Sequence, residues 1–189
     1  MPRQGLDRGR VVAAAAAIAD DEGLHAVTLA HVAADLGVRS PSLYVHVEGL
    51  PALQRELALL GTRELADAMR AAAIGRSGPE ALRALAGAYR GYALEHPGRY
   101  EASVRAPAPG DDEHAHAAAD AVGVLAAVLR AWGLEGADAV HAVRGIRGAL
   151  HGFVAVERMG GFALAVSIDE SFDRLVAALS AGLSQSPSA

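Results

Sequence analysis

The sequence predicts an all-α protein of about nine helices, with a three-helix head at the N-terminus and a larger helical body after it. Hydrophobic residues make up 52% of the 189-residue chain, but aromatic residues only 4%. The core must therefore consist of alanine, valine and leucine on closely packed helices. Apolar residues recur at helical spacing, and no convincing strand interrupts them. The predicted division is a head of residues 1–50, a body of residues 51–183 and a disordered tail of residues 184–189.

The head begins with a mobile arm of residues 1–6, which carries Arg3. A first helix is predicted from Asp7 to about Glu22, and Gly23 ends it. Its inward face is expected to contain Val11, Val12, Ala15, Ile18 and Ala19, with Leu24 and Val27 closing the gap that follows.

Residues 28–47 predict two short helices joined by a tight turn. Thr28 has a hydroxyl that can accept a hydrogen bond from the free backbone N–H groups at a helix start. Gly37 ends this helix, because glycine adopts the left-handed conformation without steric cost. Ser40 offers a second N-cap, and Pro41 falls at the first helical position, where its missing N–H loses nothing. Two capped helices around a glycine turn form the helix-turn-helix pattern.

The same stretch resembles the head of the TetR/AcrR family of transcriptional repressors. The matching residues are Thr28-Leu29-Ala30-x-Val32-Ala33-x-x-Leu36-Gly37-Val38, then Ser40-Pro41-Ser42-Leu43-Tyr44-x-His46-Val47, with Leu53 beyond. The resemblance covers about residues 1–55. It implies a homodimer that binds a palindromic operator in double-stranded DNA and is released by a small apolar ligand. A cytoplasmic location is expected because neither a signal peptide nor a membrane-spanning segment is predicted.

The start of the second short helix can reach base edges in the major groove. Arg39 is the best candidate for a guanine contact, because its fork can bond two acceptors at once; outside this motif it would be interpreted as a solvated arginine. The resemblance implies that Tyr44 and His46 contact the DNA backbone, although packing within the head is an equal alternative for Tyr44. The predicted DNA-binding residues are Thr28, Arg39, Ser40, Pro41, Ser42, Tyr44 and His46. Leu43 is expected in the core.

One position departs from the family pattern. The family commonly has a lysine where this chain has Leu50. The resemblance therefore implies that Arg55 or Arg3 makes the missing phosphate contact, or that non-specific DNA affinity is weaker.

The body is predicted to contain a long helix from Pro51 to about Ala73, which links head and body. Further helices are expected over residues 80–96, 112–132, 137–159 and 168–183, with a short helical turn through residues 100–104. The helix over residues 112–132 is expected to face inward with Ala119, Val122, Leu125, Ala126 and Leu129.

Three glycines share one face of the helix over residues 137–159. Each costs a helix interior roughly 1 kcal/mol relative to alanine, so their spacing suggests close approach of another backbone. The predicted homodimer interface consists of Gly145, Gly148, Gly152, Leu175, Leu179 and Gly182. Intramolecular packing of the same two helices is the alternative.

The run Leu150-His151-Gly152 resembles, in part, a TetR subset named for a Trp-His-Gly sequence. In the family, a ligand pocket lies between body helices. The residues expected to line it are Tyr89, Tyr92, Tyr100, Trp132, His151 and Phe153, with Phe162 as a further candidate, because aromatic rings and one polar tip suit a small apolar molecule. Each of them would also serve as ordinary core.

Composition and charge exclude several classes. The absence of cysteine excludes disulfides and thiolate chemistry. With a net charge of −5, DNA affinity must come from locally placed arginines and from a second copy of the site. The apolar run of residues 11–19 is not a signal peptide, because acidic residues flank it, and no segment is expected to span a bilayer.

Other functions are less consistent with the sequence. The acidic and histidine-containing run of residues 111–116 could hold a metal, but we interpret it as a solvated face at a helix start. No nucleophile stands beside a base and no phosphate-binding loop is present, so neither enzymatic activity nor a cofactor is expected. The alternatives to a regulator are a helical protein-interaction module and a small-molecule-binding protein that does not bind DNA.

Overall fold

The structure is a computed structural model that describes residues 5–184 and contains, within that range, helices and no strand. The predicted all-α class is confirmed. The α-helices are α1 Arg8–Glu22, α2 Leu29–Asp35, α3 Leu50–Ala73, α4 Gly78–Glu95, α5 Pro97–Ser103, α6 Asp112–Leu129, α7 Gly136–Arg158 and α8 Ile168–Leu183. Short 3-10 helices occupy Leu24–Ala26, Ser40–Val45 and Arg130–Trp132. Arg3 of the predicted arm and residues 185–189 of the predicted tail lie outside the described residues.

The chain divides into two compact units. The first comprises residues 1–64 and 95–118, and the second comprises residues 65–94 and 119–189. This division by packing places α5 in the same unit as the predicted head. The functional boundary at residue 50 stays a prediction.

The first unit has a continuous apolar core drawn from α1, α2, α3 and α5. Asp7 caps α1 by accepting a hydrogen bond from the backbone N–H of Arg10 at 2.8 Å. The predicted inward face of α1 is buried apart from Val12, which is half-buried, and Leu24 and Val27 close the gap as expected. Burial of such side chains supplies most of the stability of a helical unit.

Close backbone contacts hold α5 within the first unit. A Cβ added at Gly98 would lie 2.1 Å from the carbonyl of Ala19, and one added at Gly61 would lie 2.2 Å from the carbonyl oxygen of Arg99. The Asp20 carboxylate accepts hydrogen bonds from the backbone N–H groups of Gly98 and Arg99 at 3.0 and 2.9 Å, and from Nε of Arg99 at 2.7 Å. The carboxylate of α1 thus satisfies the free donors at the start of α5.

In the second unit, the buried face of α4 is the one that its periodicity predicts: Leu82, Leu85, Tyr89, Tyr92 and Ala93. Arg90, on the same helix, forms two hydrogen bonds with the carboxylate of Glu157 at 2.7 and 2.5 Å, which raise the pKa of its guanidinium. The guanidinium also lies 5.0 Å from the ring centroid of Phe172. This ion pair joins α4 to α7.

The predicted inward face of α6 is partly wrong. Leu125 and Leu129 are buried, but Ala119 and Val122 are exposed, and Val128 is buried instead. Because nearly every side of α6 contains small apolar residues, hydrophobic periodicity cannot define its inward face.

The stretch Asp112–Trp132 is also long and apolar enough to cross a membrane by length and composition, with 28% of its most apolar window buried. By length and composition alone, the expectation that no segment could span a bilayer does not hold for this stretch. Because the core helices of globular proteins can meet the same criterion, it is weak evidence for insertion.

Candidate nucleic-acid interface

The helix α2 begins as its sequence predicts. Thr28 has an extended backbone (φ −128°, ψ 153°), and its hydroxyl accepts a hydrogen bond from the backbone N–H of His31 at 3.1 Å. The His31 ring lies 3.2 Å from the carbonyl oxygen of Ala26 through Nδ1 and 3.4 Å from a Glu22 carboxylate oxygen through Nε2. These contacts fix the start of α2 against the end of α1.

A glycine turn follows α2. Gly37 has a φ of 65°, and its N–H donates to the carbonyl of Ala34 at 3.1 Å. The N–H of Val38 then donates to the carbonyl of Ala33 at 2.9 Å. Both bonds satisfy carbonyls at the helix end, as a glycine C-cap requires.

The second helix of the motif differs from its predicted form. Ser40–Val45, which we name the recognition segment, is a 3-10 helix of six residues. Arg39, and not Ser40, occupies the position before it, and no side chain caps its start. The N–H of Ser42 donates to the carbonyl of Arg39 at 2.8 Å, a three-residue spacing that short segments of this kind adopt.

Two buried side chains anchor the recognition segment. Leu43 is fully buried and Val47 is 5% exposed, so the segment rests on the core of the first unit through a four-residue apolar spacing. The expectation that Leu43 is core is confirmed. With Leu43 directed inward, the other side of the segment is left facing solvent.

The predicted DNA-binding residues in and beside the recognition segment reach solvent to different degrees, and Thr28 is exposed at the start of α2. Arg39, Pro41, Ser42 and Tyr44 are exposed, whereas Ser40 and His46 are half-buried. Tyr44 is 60% exposed, which disfavours the packing alternative. Within residues 5–184, the side chains of Arg39 and Tyr44 form no hydrogen bond or ion pair, so their polar groups are available to a ligand. The DNA contacts themselves stay a prediction.

Sequence reasoning missed Val45. It is 84% exposed, and it lies between Tyr44 and His46 on the outer side of the recognition segment. The signal that could have identified it is its position beside Leu43 and Val47: if those two face the core, the residue midway between them must face outward. An exposed branched apolar side chain suits contact with a thymine methyl group.

The suggestion that Arg55 replaces the missing lysine at Leu50 is not supported. Its guanidinium donates to the Asp111 carboxylate at 2.6 and 2.5 Å and to Glu113 at 3.0 Å. The hydrogen bonds that Arg55 donates to Asp111 raise the pKa of Arg55, and the same bonds lower the pKa of Asp111 to about 2. Arg55 is therefore held by carboxylates and is not free for phosphate.

The interpretation of residues 111–116 as a solvated face at a helix start holds for the exposed Asp112, Glu113 and His116, but Asp111 and His114 are directed into the first unit. The pKa of Glu113 is lowered by its hydrogen bonds from Arg55 and then from Arg63. His114 is only 4% exposed, and its backbone N–H donates to Asp111 at 3.1 Å. This run thus packs against α3. The described residues contain no cluster of three or more potential metal ligands.

The predicted ligand-binding aromatics are placed in different surroundings. Tyr89 and Tyr92 are buried in the second unit, and Tyr100 is buried in the first. Trp132 is half-buried and donates to the hydroxyl of Ser184 at 3.2 Å. Phe153 packs on Phe162 and Phe172, with centroids 4.8 and 5.2 Å apart, and His151 is half-buried. Their role in ligand binding stays a prediction.

The predicted dimer residues lie on surfaces that this single chain leaves open. Gly145, Gly148, Gly152 and Gly182 are exposed, and a Cβ added at any of them would meet no atom within 4 Å. Leu175 and Leu179 are half-buried. The glycines therefore do not serve close packing within the described chain.

Comparison with known proteins relates both ends of the chain to regulators. A family model described as the tetracyclin repressor-like C-terminal domain matches residues 82–179. The chain is 37% identical to the uncharacterized HTH-type transcriptional regulator Rv0681 of Mycobacterium tuberculosis, covering 94% of this chain and 82% of that protein. It is 36% identical to YobS, an uncharacterized HTH-type transcriptional regulator of Bacillus subtilis, covering 96% and 95%.

The fold has close counterparts among solved structures. A TetR variant from Acinetobacter baumannii AYE, crystallised in complex with minocycline, aligns with a TM-score of 0.72 and 23% identity. The alignment covers 98% of this chain and 100% of that chain. At this identity the likeness concerns the fold alone.

Residues 5–184 are helical throughout their regular structure and contain a helix-turn-helix with an exposed outer side, an arrangement typical of DNA-binding regulators. The relatives of the chain and the matched domain specify which kind. The chain belongs to the TetR family and is a TetR-like DNA-binding transcriptional regulator. The narrower Trp-His-Gly subset stays a prediction.

Proposed function

We propose that the protein is a cytoplasmic repressor that binds a palindromic operator as a homodimer and is released by a small-molecule ligand. The observation that carries this proposal is the outer side of the recognition segment. There, Arg39, Pro41, Ser42, Tyr44 and Val45 face solvent together. Polar, cationic and apolar groups on one short element can supply phosphate contacts, base hydrogen bonds and methyl contacts at once.

Each outward side chain has a distinct proposed role. Arg39 reads a guanine through its two-donor fork, and Val45 contacts a thymine methyl. Ser42 and Tyr44 bond phosphate oxygens through their hydroxyls, which fixes the register on the duplex without reading sequence. The edges of the proposed DNA-binding surface are formed by Thr28, Ser40, Pro41 and His46.

A homodimer accounts for the exposed glycines. Gly145, Gly148 and Gly152 form an open stripe along α7, and with α8 this surface would bury itself against a second copy. A net charge of −5 disfavours strong binding by one head. Two heads at the spacing of successive major grooves double the contacts and select a palindrome.

The proposed release by a ligand acts on the spacing of the two heads. A molecule that binds better when the two heads are wrongly spaced shifts the population away from the DNA-competent state. The matched fold of a minocycline-bound TetR supports a small-molecule site in this fold. Repression and release, and not enzymatic turnover, are the proposed activities.

The proposal is tested by fluorescence anisotropy of the pure protein with DNA from upstream of its own gene, over a series of salt concentrations. Wild type should bind one fragment specifically, with an affinity that falls as salt rises. Arg39→Ala should weaken binding by roughly 10- to 100-fold and relax sequence preference at one position of each half-site, because one bidentate base contact is worth about 1–3 kcal/mol.

The matched control is Arg83→Ala, which removes an exposed arginine of α4 that pairs with Asp173. It changes net charge equally and should leave affinity near wild type. Binding to no upstream fragment would contradict the repressor proposal. If wild type and Arg39→Ala have the same operator affinity and the same sequence preference, the proposed contact between Arg39 and a guanine is refuted, but the repressor proposal is not.

A further inference from the structure

The second unit contains a cleft of about 760 Å³ that no proposed DNA, dimer or aromatic ligand residue lines. It lies between the C-terminal end of α3, the turn into α4 and the outer face of α6 with the 3-10 helix after it. Its volume is within the range of about 300–1,000 Å³ typical of small-molecule sites.

The floor of the cleft is apolar and open. Ile74, Gly123, Ala127 and Val128 belong to its lining, and small residues provide most of the α6 surface there. Ile74 is 72% exposed, and a Cβ added at Gly123 would meet no atom within 4 Å. The unusual apolarity of the α6 surface thus coincides with a concave site, where a hydrocarbon group would leave water.

The charged lining of the cleft is unbalanced. It contains Arg70, Arg76 and Arg130 but only one carboxylate, Asp120. Arg70 and Arg76 are paired with Asp67 and Glu80, which stand just outside the lining, so within residues 5–184 Arg130 is the lining arginine that has no ion pair.

The arginines are available to a ligand to different degrees. Within residues 5–184, the Arg130 side chain makes no ion pair or hydrogen bond. Arg70 pairs with Asp67, and Arg76 pairs with Glu80 at 3.4 Å, but all four of these side chains are more than two-fifths exposed. Exposed pairs of this kind contribute little and can rearrange.

We infer that this cleft binds a small amphipathic carboxylate, with its hydrocarbon part on the α6 floor and its carboxylate held by Arg130. A guanidinium fork matches a carboxylate with two parallel hydrogen bonds. A neutral hydrocarbon would leave the cationic rim unused, and a bare inorganic anion would leave the apolar floor wet. Charge and apolar surface together therefore select a molecule that has both.

This inference deepens the proposed function, because it assigns a ligand class to the proposed effector, and it rests on that function only for the effect on DNA. Binding to the cleft is a separate property. It is measured without DNA, so failure of one proposal is distinguishable from failure of the other.

The test is isothermal titration calorimetry of the full chain with decanoate below its micelle concentration. 1-Decanol serves as the uncharged probe and acetate as the probe without a tail. Decanoate should bind at least about tenfold more tightly than either, which corresponds to about 1.4 kcal/mol. The single tryptophan, Trp132, directly follows the lining residue Ala131, so its fluorescence gives a second readout.

Two variants locate the site. Arg130→Gln should weaken decanoate about tenfold while leaving 1-decanol unchanged, since a hydrogen bond to a charged group is lost. Gly123→Leu should abolish decanoate binding by filling the floor. The matched controls are Arg174→Gln, on an exposed arginine of α8, and Gly87→Leu, at an exposed glycine of α4 where a Cβ also meets open space.

Circular dichroism verifies folding, and Ala127→Met replaces Gly123→Leu if that variant does not fold. The inference is overturned if decanoate does not bind, if it binds no better than 1-decanol, or if both cleft variants bind it like wild type. A loss of the dimer in Gly123→Leu, seen by analytical ultracentrifugation, would also overturn it by assigning the cleft to an interface between copies. If decanoate binds as expected but leaves operator affinity unchanged, the ligand site stands and the proposed release mechanism fails.

Discussion

At the scale of single residues, the charges of the first unit serve structure more than DNA binding. Arg55, Asp111, Glu113 and Arg63 form a continuous ion-pair cluster between α3 and the start of α6. The two short bonds between Arg55 and Asp111 have the bidentate geometry that makes such pairs strong. Arg55 is therefore occupied by carboxylates, whereas the exposed Arg39 beside the recognition segment is available to contact DNA.

This pairing predicts a specific acid dependence of stability. The pKa of Asp111 is about 2 in the folded protein, below its unfolded value of about 3.9. A carboxylate with a depressed pKa stabilises the fold above the unfolded pKa, and that contribution is lost as pH falls towards the folded pKa. Asp111→Asn should therefore be less stable than wild type at pH 7, and the difference should shrink between about pH 4 and about pH 2.

Urea unfolding monitored by circular dichroism at a series of pH values measures this difference. Asp35→Asn, at an exposed position of α2, is the matched control and should stay parallel to wild type. A constant gap between wild type and Asp111→Asn across the acid range would be inconsistent with the ion pair.

The residue scale also shows what sequence can and cannot predict. Thr28 and Gly37 were predictable because a cap and a left-handed turn are local, and each depends on its immediate neighbours. The partner of Arg55 was not, because Asp111 is 56 positions away and only the folded chain brings the two together. The exposure of Val45 could have been predicted, since the burial of Leu43 and Val47 determines the direction of the residue between them.

At the scale of elements, α5 is the piece whose importance the sequence understated. Hydrophobic spacing predicted a short helical turn, but spacing reports which face is apolar and not how closely two backbones approach. Gly98 and Gly61 permit approaches that no larger residue allows. The prediction of the inward face of α6 was partly wrong for a different reason. Because α6 is apolar on most of its sides, hydrophobic periodicity cannot indicate which side is buried.

The packing of α5 is tested by Gly98→Ala. Alanine is the better helix former by about 1 kcal/mol, and Gly98 does not have a positive φ, so propensity alone predicts stabilisation. The added methyl would instead lie 2.1 Å from the Ala19 backbone and force α1 and α5 apart. We expect a net loss of about 1–3 kcal/mol in the free energy of unfolding, the usual cost of overpacking.

Gly87→Ala is the matched control, because Gly87 is exposed on α4 and its added methyl meets open space. It should gain up to about 1 kcal/mol. Chemical denaturation of both variants gives the comparison. Stabilisation of similar size in both would show that α5 does not approach α1 as closely as the structure has it.

At the scale of the whole molecule, a weakly charged head must be reconciled with DNA recognition. The chain has 17 basic and 22 acidic residues, so long-range attraction to DNA is small. The second unit exposes the glycine stripe of α7 together with Met159 and Leu164, which are 78% and 84% exposed. Self-association through this surface would place two heads in one complex. Once the first head is bound to DNA, the second binds at a high effective concentration, so the dimer binds more tightly than either head alone.

The coupling of dimerisation to DNA binding is tested by Gly148→Glu. Since a Cβ at Gly148 meets no atom within 4 Å, the substitution should leave the monomer folded and slightly more helical.

In a dimer the same position would bury a carboxylate at close backbone approach, where an unpaired charge is strongly disfavoured. Analytical ultracentrifugation should therefore show a monomer, and operator affinity should fall at least about 100-fold while weak non-specific binding persists. Gly87→Glu adds the same charge at an exposed position of α4, so it separates loss of the interface from repulsion by DNA. A Gly148→Glu protein that remains dimeric would place the interface elsewhere, whereas a monomer with full operator affinity would show that one recognition segment suffices.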